Sequence, residues 1–78
     1  MKRTPIIVLE DKNNYSILYF VLNDDYTTPM FQSVDKRQIK NKTPEGILMY
    51  MQYGEDMEVP LKDLNDIFKG DRIVAIIP

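Results

Sequence analysis

Three uninterrupted apolar runs constrain this 78-residue chain more than any other feature of its sequence. They cover residues 6–9, 17–22 and 73–77 and are rich in β-branched or aromatic side chains, which is typical of strands. A strand that is apolar on both sides has to be covered on both faces. Little of the remaining sequence looks helical. We therefore expect a small closed or half-closed barrel, or a dimer that buries the second face.

The segments around these runs carry weaker signals. We expect strands at residues 4–9, 15–22 and 73–77, a turn at 10–14, and a short helix or 3₁₀ turn at 62–68 that ends at Gly70. Residues 26–43 are ambiguous, and Pro29 argues against a central strand there. Residues 33–40 fit either a short helix capped by Ser33 or a strand with charged outward side chains.

A β-hairpin is predicted at residues 47–64. With a three-residue loop at 54–56, one face becomes apolar and the other mixed, whereas a two-residue loop would mix both faces. The apolar face would consist of Met49, Met51, Tyr53 and Met57 with their partners. Tyr50 would lie on the other face near Pro60, which suits an edge or the end of a strand.

A helix is the alternative for the first part of this stretch. Thr43 resembles an N-cap, Pro44 a first-turn proline, and Gly54 a C-terminal stop. Two features favour the hairpin instead. Gly46 in a helix costs up to ~1 kcal/mol relative to alanine, and the continuous apolar run at 47–51 leaves no polar helix face.

Composition indicates one soluble globular domain spanning residues 1–78. The chain is 44% hydrophobic and 28% charged with a net charge of −2, so disorder is not expected. It contains no cysteine and no histidine, which removes disulfides, thiolate or imidazole metal ligands and the commonest general base. Ser16 and Ser33 lie outside any nucleophile motif. We expect no enzymatic activity, no metal and no cofactor, and a cytoplasmic protein, because no apolar run is long enough for a membrane span or signal peptide.

Residues 48–64, LMYMQYGEDMEVPLKDL, resemble the strand, Tyr-Gly turn, strand and helical turn of Tudor-type SH3-like barrels. Five residues align with the family pattern without gaps: Tyr53, Gly54, Glu58, Val59 and Leu64. Tyr53 is the one position of the family's aromatic cage that carries over. Gln52 and Glu55 depart from the family, which has Asp and Asn there. The resemblance implies a β-rich fold (all-β to α+β), namely a five-stranded, partly closed SH3-like barrel with a short helix or 3₁₀ turn before the last strand.

Acidic residues are the sharpest charge feature, and they cluster from Glu55 to Asp66. They could face solvent only, or could dock onto another protein with a basic surface. Tyr50 would be an exposed aromatic anchor for such an interface. The candidate residues for binding a protein partner are Tyr50, Tyr53, Glu55, Asp56 and Glu58.

A basic segment offers an alternative site. It consists of Lys36, Arg37, Lys40 and Lys42, and Tyr26 and Phe31 precede it. Cations on phosphates and aromatics stacked on bases are the means by which proteins bind single-stranded nucleic acid. The net negative charge argues against strong non-specific binding of this kind.

The function that we expect is non-catalytic protein binding. The bias toward Lys, Asn, Asp and Ile is typical of an AT-rich bacterial or phage genome, where chains of this size are often inhibitors or adaptors of host machinery. A nucleic-acid-binding module that uses the basic segment and a homo-oligomeric structural protein, in its simplest form a homodimer, remain the alternatives.

Overall fold

The computed structural model describes residues 2–78, with Phe68 described by its backbone alone. The strands within this range are β1 (Lys2–Arg3), β2 (Ile6–Glu10), β3 (Asn14–Leu22), β4 (Thr27–Asp35), β5 (Met57–Glu58) and β6 (Arg72–Ile77). The helices are α1 (Pro44–Met51) and α2 (Leu64–Phe68), and 3₁₀ turns occur at Lys36–Gln38 and Leu61–Asp63.

All the strands belong to one antiparallel sheet with the order β5-β4-β3-β2-β6, and β1 pairs with the far end of β3. Asp11 closes the β2–β3 turn, because its carboxylate accepts from the backbone N–H groups of Asn13 and Asn14 at 2.7 Å each. These bonds hold the pKa of Asp11 below its usual value. The prediction of a strand-rich fold with a short helix before the last strand is confirmed. A barrel is not: β5 and β6 lie at opposite edges of an open sheet.

Helix α1 covers one face of the sheet and forms the main core there. Ile47 and Met51, four residues apart, project from the same side of the helix and are almost completely buried. They belong to a cluster with side chains from β2, β3 and the loop before α1: Ile6, Val8, Tyr15, Ile17 and Ile39. The outward side of α1 is apolar as well, and Met49 is 62% exposed.

The hairpin prediction for residues 47–64 is wrong, and the helical alternative describes the first part of this stretch. Thr43 caps α1, since its hydroxyl accepts from the Gly46 N–H at 3.1 Å, and Pro44 occupies the first turn. Gly46 is explained by packing: a Cβ there would lie 2.4 Å from the Asn41 carbonyl oxygen. The expected apolar hairpin face is not formed, because only Met51 of its members is buried.

The opposite face of the sheet contains Leu9 and Leu18, which have no solvent exposure at all. The chain must cross from the β5 edge to the β6 edge between residues 59 and 71. Since α1 occupies the other face, we infer that this crossover, with its 3₁₀ turn and α2, covers the two leucines. The cover does not extend along all of β3, because Leu22 at its end is 40% exposed.

Strand β4 runs through the ambiguous region and includes Pro29. The Pro29 carbonyl accepts from the Val59 N–H at 3.0 Å, so the backbone side that lacks an N–H points toward short β5 and not toward β3. Residues 33–40 combine both alternatives. The strand continues to Asp35, whose carboxylate, and not Ser33, caps the following 3₁₀ turn by accepting from the Arg37 N–H.

The remaining local predictions are confirmed. Residues 61–68 form a 3₁₀ turn followed by α2, and Gly70 has a φ of 84°, the left-handed conformation that favours glycine after a helix. Within the described range, no helix has the length and apolar character that a membrane span requires.

Candidate functional site

Asp56 anchors the loop between α1 and β5 to the sheet. The Tyr19 hydroxyl of β3 donates to Asp56 Oδ2. With its amide oriented to satisfy both groups, Gln32 of β4 donates to Asp56 Oδ1 at 2.8 Å and to the Met51 carbonyl at 3.0 Å. Two neighbouring strands therefore fix both the end of α1 and the loop that follows it.

Burial is the main reason that the pKa of Tyr19 is raised to about 12. The Asp56 carboxylate raises it further, because it accepts the phenol proton and would repel a phenolate. The phenol thus remains protonated and able to donate to Asp56 over the whole physiological pH range.

Tyr50 and Tyr53 lie beside this anchor and line a shallow cleft of about 210 Å³ with Gln32 and Gly54. Tyr53 is 91% exposed and Tyr50 41% exposed. The Tyr50 hydroxyl donates to Gln38 Oε1 at 3.1 Å, which orients its ring. The Gln32 side-chain amide comes within 2.0 Å of the place where a Cβ of residue 54 would stand, so a larger residue there would displace this amide.

Glu55 and Glu58 flank Asp56 and are both exposed. Within residues 2–78, neither carboxylate has a hydrogen-bond or ion-pair partner among the side-chain contacts. Glu58 pairs with Met30 across the sheet edge and lines a separate cleft of about 360 Å³ that also includes Tyr26. The two glutamates therefore carry charge that no neighbouring side chain neutralises.

The five residues expected to bind a partner are thus brought to one region, but not on a hairpin tip: Tyr50 is on α1, Glu58 is on β5, and the other three are on the loop between these elements. Tyr50 and Tyr53 share a cleft, Glu55 and Glu58 are open to solvent, and Asp56 points inward. We define the α1–β5 surface as the exposed side chains of this region: Met49, Tyr50, Tyr53, Glu55 and Glu58.

The residues that hold this surface in place carry no signal in the sequence. Tyr19 lies in an apolar run and Gln32 in the ambiguous region, so neither carried a distinguishing signal. Arg3, which no sequence pattern singles out, lines a cleft of about 290 Å³ with Tyr19 and Asp56. The pairing of these residues follows only from the strand register.

The basic segment is largely engaged within the molecule. Lys36 Nζ lies 2.9 Å from Glu10 Oε2 and 5.0 Å from the centre of the Tyr15 ring, a cation–π contact. Arg37 pairs with Asp35 at 2.8 Å.

The last two cations of the segment differ from each other. Lys42 Nζ donates to the carbonyls of Lys36 and Ile39 at 3.0 and 2.9 Å, which closes the loop that leads to α1. Lys40 is exposed, and the described side chains offer it no hydrogen bond or ion pair. Three of the four cations therefore already have oxygen partners inside the domain.

No three Asp or Glu side chains in the described part of the chain come together in a way that would hold a metal ion. The carboxylates near Asp56 also point in different directions. Asp56 faces the sheet, whereas Glu55 and Glu58 face solvent.

Comparison with known proteins identifies no relative. No family model matches the chain, and neither the curated proteins nor the solved structures contain a significant match. The resemblance to Tudor-type barrels stays a prediction.

Proposed function

We propose that this chain is a small protein-binding domain that engages a basic partner surface through the α1–β5 surface. The observation that carries the proposal is Tyr53, a large aromatic side chain that is 91% exposed and lies between an apolar helix face and unpaired carboxylates. Exposed tyrosine and methionine are enriched at protein interfaces, where a few such anchors supply most of the binding free energy.

The surface is also preorganised. Asp56 is held by Tyr19 and Gln32, and Tyr50 is held by Gln38, so the loop does not have to be ordered when a partner binds. Loss of conformational entropy is one of the main costs of association, and a prefixed loop avoids much of it. This supports a rigid binding surface.

The charge of the α1–β5 surface indicates which kind of partner it would bind. Glu55 directly follows Gly54 of the aromatic cleft in the chain, Glu58 lines the separate cleft that includes Tyr26, and neither has an internal counter-ion, in a chain with a net charge of −2. Complementary charge speeds association and selects among partners more than it raises affinity. A partner with lysine- or arginine-rich surface fits this arrangement, as does the proposed role of a phage or bacterial inhibitor or adaptor that acts on host machinery.

The test is a pull-down of the tagged chain from bacterial lysate, with and without nuclease, read by mass spectrometry. We expect a stoichiometric protein partner that survives nuclease treatment. A signal that disappears with nuclease would overturn the proposal and direct attention to the basic segment.

Variants then locate the surface. We expect two variants, the double variant Glu55→Lys/Glu58→Lys and the single variant Tyr53→Ala, each to lower the affinity for the captured partner by at least about 30-fold. This is the effect of losing one hot spot of about 2 kcal/mol. Asp56 is left intact because it anchors the fold. The matched control is Asp24→Lys/Asp25→Lys, an equal charge change in the exposed β3–β4 turn. Equal loss in the control, or no loss in either test variant, would contradict the assignment.

A further inference from the structure

A cleft of about 360 Å³ adjoins the α1–β5 surface at Glu58, and the proposed function gives it no role of its own. It is formed by the end of β3, the turn that follows, the first half of β4, and β5. The residues that line it are Val21, Asn23, Tyr26, Thr28, Met30 and Glu58. We call it the Tyr26 cleft.

Strand pairing explains why these side chains meet. Val21 pairs with Thr28 across β3 and β4, and Met30 pairs with Glu58 across β4 and β5. Paired residues point to the same side of a sheet, as do residues two apart on one strand. These four side chains therefore share one face of the sheet. It is the face that α1 covers further along β3, where Ile17 is buried.

Tyr26 supplies an exposed aromatic side chain at the end of this cleft. The Asn23 N–H donates to the Tyr26 carbonyl at 3.0 Å, which closes the turn between β3 and β4 and fixes the backbone of Tyr26. The residue is 64% exposed, whereas Val21 and Met30 are partly buried. The cleft therefore combines an apolar floor with an open aromatic ring and a carboxylate.

The charge of the cleft selects a cation as its occupant. Among the described residues that line it, Glu58 carries the only charge, and no side chain in residues 2–78 forms an ion pair with it. Arg3 pairs with Val21 from the other side of β3 but lines a different cleft. An anion would be repelled by the carboxylate. A purely apolar group would remove water from it without replacing the lost hydrogen bonds.

We propose that the Tyr26 cleft binds one arginine side chain of the basic partner, an inference that rests on the proposed function. The methylene stem lies along Val21 and Met30, and the guanidinium donates to the Glu58 carboxylate. The plane of the guanidinium stacks on the Tyr26 ring. Lysine has the same charge but lacks the planar fork that makes both contacts at once.

The size of the cleft fits a single side chain. Ligand pockets span roughly 300 to 1,000 Å³, so about 360 Å³ is near the lower limit. The inference also separates two glutamates that the proposed function treats alike. Glu58 lines the Tyr26 cleft, whereas Glu55 lines neither this cleft nor that of Tyr50 and Tyr53. Glu55 therefore attracts a basic partner only at a distance, which affects the association rate more than the affinity.

The test uses a blocked tripeptide, acetyl-Gly-Arg-Gly-amide, which carries no terminal charges. Binding is followed by the amide NMR shifts of the isotope-labelled chain. We expect saturable shifts confined to residues 21–30 and 58, with a Kd in the millimolar range because so small a ligand makes few contacts. The lysine peptide should bind at least about 3-fold more weakly. A norleucine peptide, which has a similar stem without a charge, should cause no shifts.

Two variants test the roles of the carboxylate and the ring. Glu58→Gln should raise the Kd of the arginine peptide at least about 10-fold, since a hydrogen bond between two charged groups is lost. Tyr26→Leu should raise it at least about 3-fold, because the aromatic face is removed while an apolar side chain stays. The matched control is Glu55→Gln, the same change in an exposed carboxylate outside the cleft, which should alter the Kd by less than about 2-fold.

Four results would overturn the proposal: no saturable shifts, shifts spread evenly over the acidic surface, equal binding of the arginine and norleucine peptides, or equal losses in Glu58→Gln and Glu55→Gln. The pull-down distinguishes this failure from that of the proposed function. A protein partner that the Glu58→Gln chain captures with full affinity would contradict the arginine site and leave protein binding standing. Specific binding of the arginine peptide without any captured protein would contradict only the proposed function.

Discussion

The segments before and after α1 carry opposite charges and make opposite use of them. In the basic segment, Lys36, Arg37 and Lys42 each contact oxygen atoms of the same molecule. Among the acidic residues 55, 56 and 58 that follow α1, only Asp56 has such contacts, and Glu55 and Glu58 face solvent. Charge that is satisfied internally stabilises the fold, whereas charge left open is available to a partner. In the sequence both clusters were candidate binding sites, and the acidic one was preferred because the net negative charge argues against strong non-specific binding to nucleic acid.

Helix α1 is the element that separates the two segments, and its burial gives the largest predicted effect. Ile47→Ala removes a side chain with no solvent exposure and should lower the free energy of unfolding by about 2 to 4 kcal/mol, because a cavity is left beneath the helix. Urea denaturation measures this difference.

The control on the same helix is Met49→Ala, which should change the free energy of unfolding by less than about 0.5 kcal/mol because the side chain is exposed. Similar losses in both variants would mean that α1 does not pack through the Ile47 side.

Glu10 tests the internal use of the basic segment. Its side chain is 16% exposed and binds both Lys36 and Arg72. Glu10→Gln should lower the free energy of unfolding by about 1 to 2 kcal/mol, because two cations lose their carboxylate. Added salt should reduce the difference between the two proteins, since it screens the charges in the wild type.

Asp35→Asn is the comparison for Glu10, because the Asp35 partner Arg37 is 90% exposed. We expect a smaller loss of stability than for Glu10→Gln, in line with the small contribution of exposed ion pairs. A larger loss of stability for Asp35→Asn than for Glu10→Gln would contradict the assignment of Glu10 as the carboxylate that contributes more to the fold.

Tyr19→Phe tests the anchor of the acidic loop. The variant loses the bond to Asp56 and should be less stable by about 1 kcal/mol. The folded pKa of Tyr19 is raised from 10.0 to about 12, so its contribution is complete below pH 10 and is lost as the pH rises toward 12. The stability difference between wild type and variant should therefore disappear over this pH interval.

Titration of tyrosine absorbance in the two proteins gives the pKa of Tyr19 directly. The difference between the curves should have its midpoint near 12. A midpoint near 10 would show that the phenol is neither buried nor held by Asp56 as the structure has it, since both effects raise its pKa.

The order of effects, from Ile47 through Glu10 to Tyr19, follows what each change removes: a fully buried apolar side chain, a carboxylate with two cationic partners, and a single hydrogen bond. For comparison, changes at Glu55 and Glu58 should leave stability nearly unaltered, because exposed side chains without partners contribute little to it. A marked loss of stability there would show that the acidic loop serves the fold after all.

The sequence by itself determined the elements whose signals are local. Strands β2, β3 and β6 follow from continuous apolar runs, and the end of α2 follows from Gly70, which takes a left-handed conformation that other residues adopt only with strain. Such signals depend on neighbouring residues alone. They can be read before any long-range contact is known.

Tertiary structure decided the rest. Gly46 argued against a helix until the approach of Asn41 showed why a glycine stands there, and Pro29 fits a strand only because its missing N–H points to the short β5 side. The roles of Asp56 and Lys36 were set by Tyr19 and Glu10, 37 and 26 residues away in the chain. Contacts over such distances depend on strand register, which is a property of the whole sheet and is not encoded within either segment.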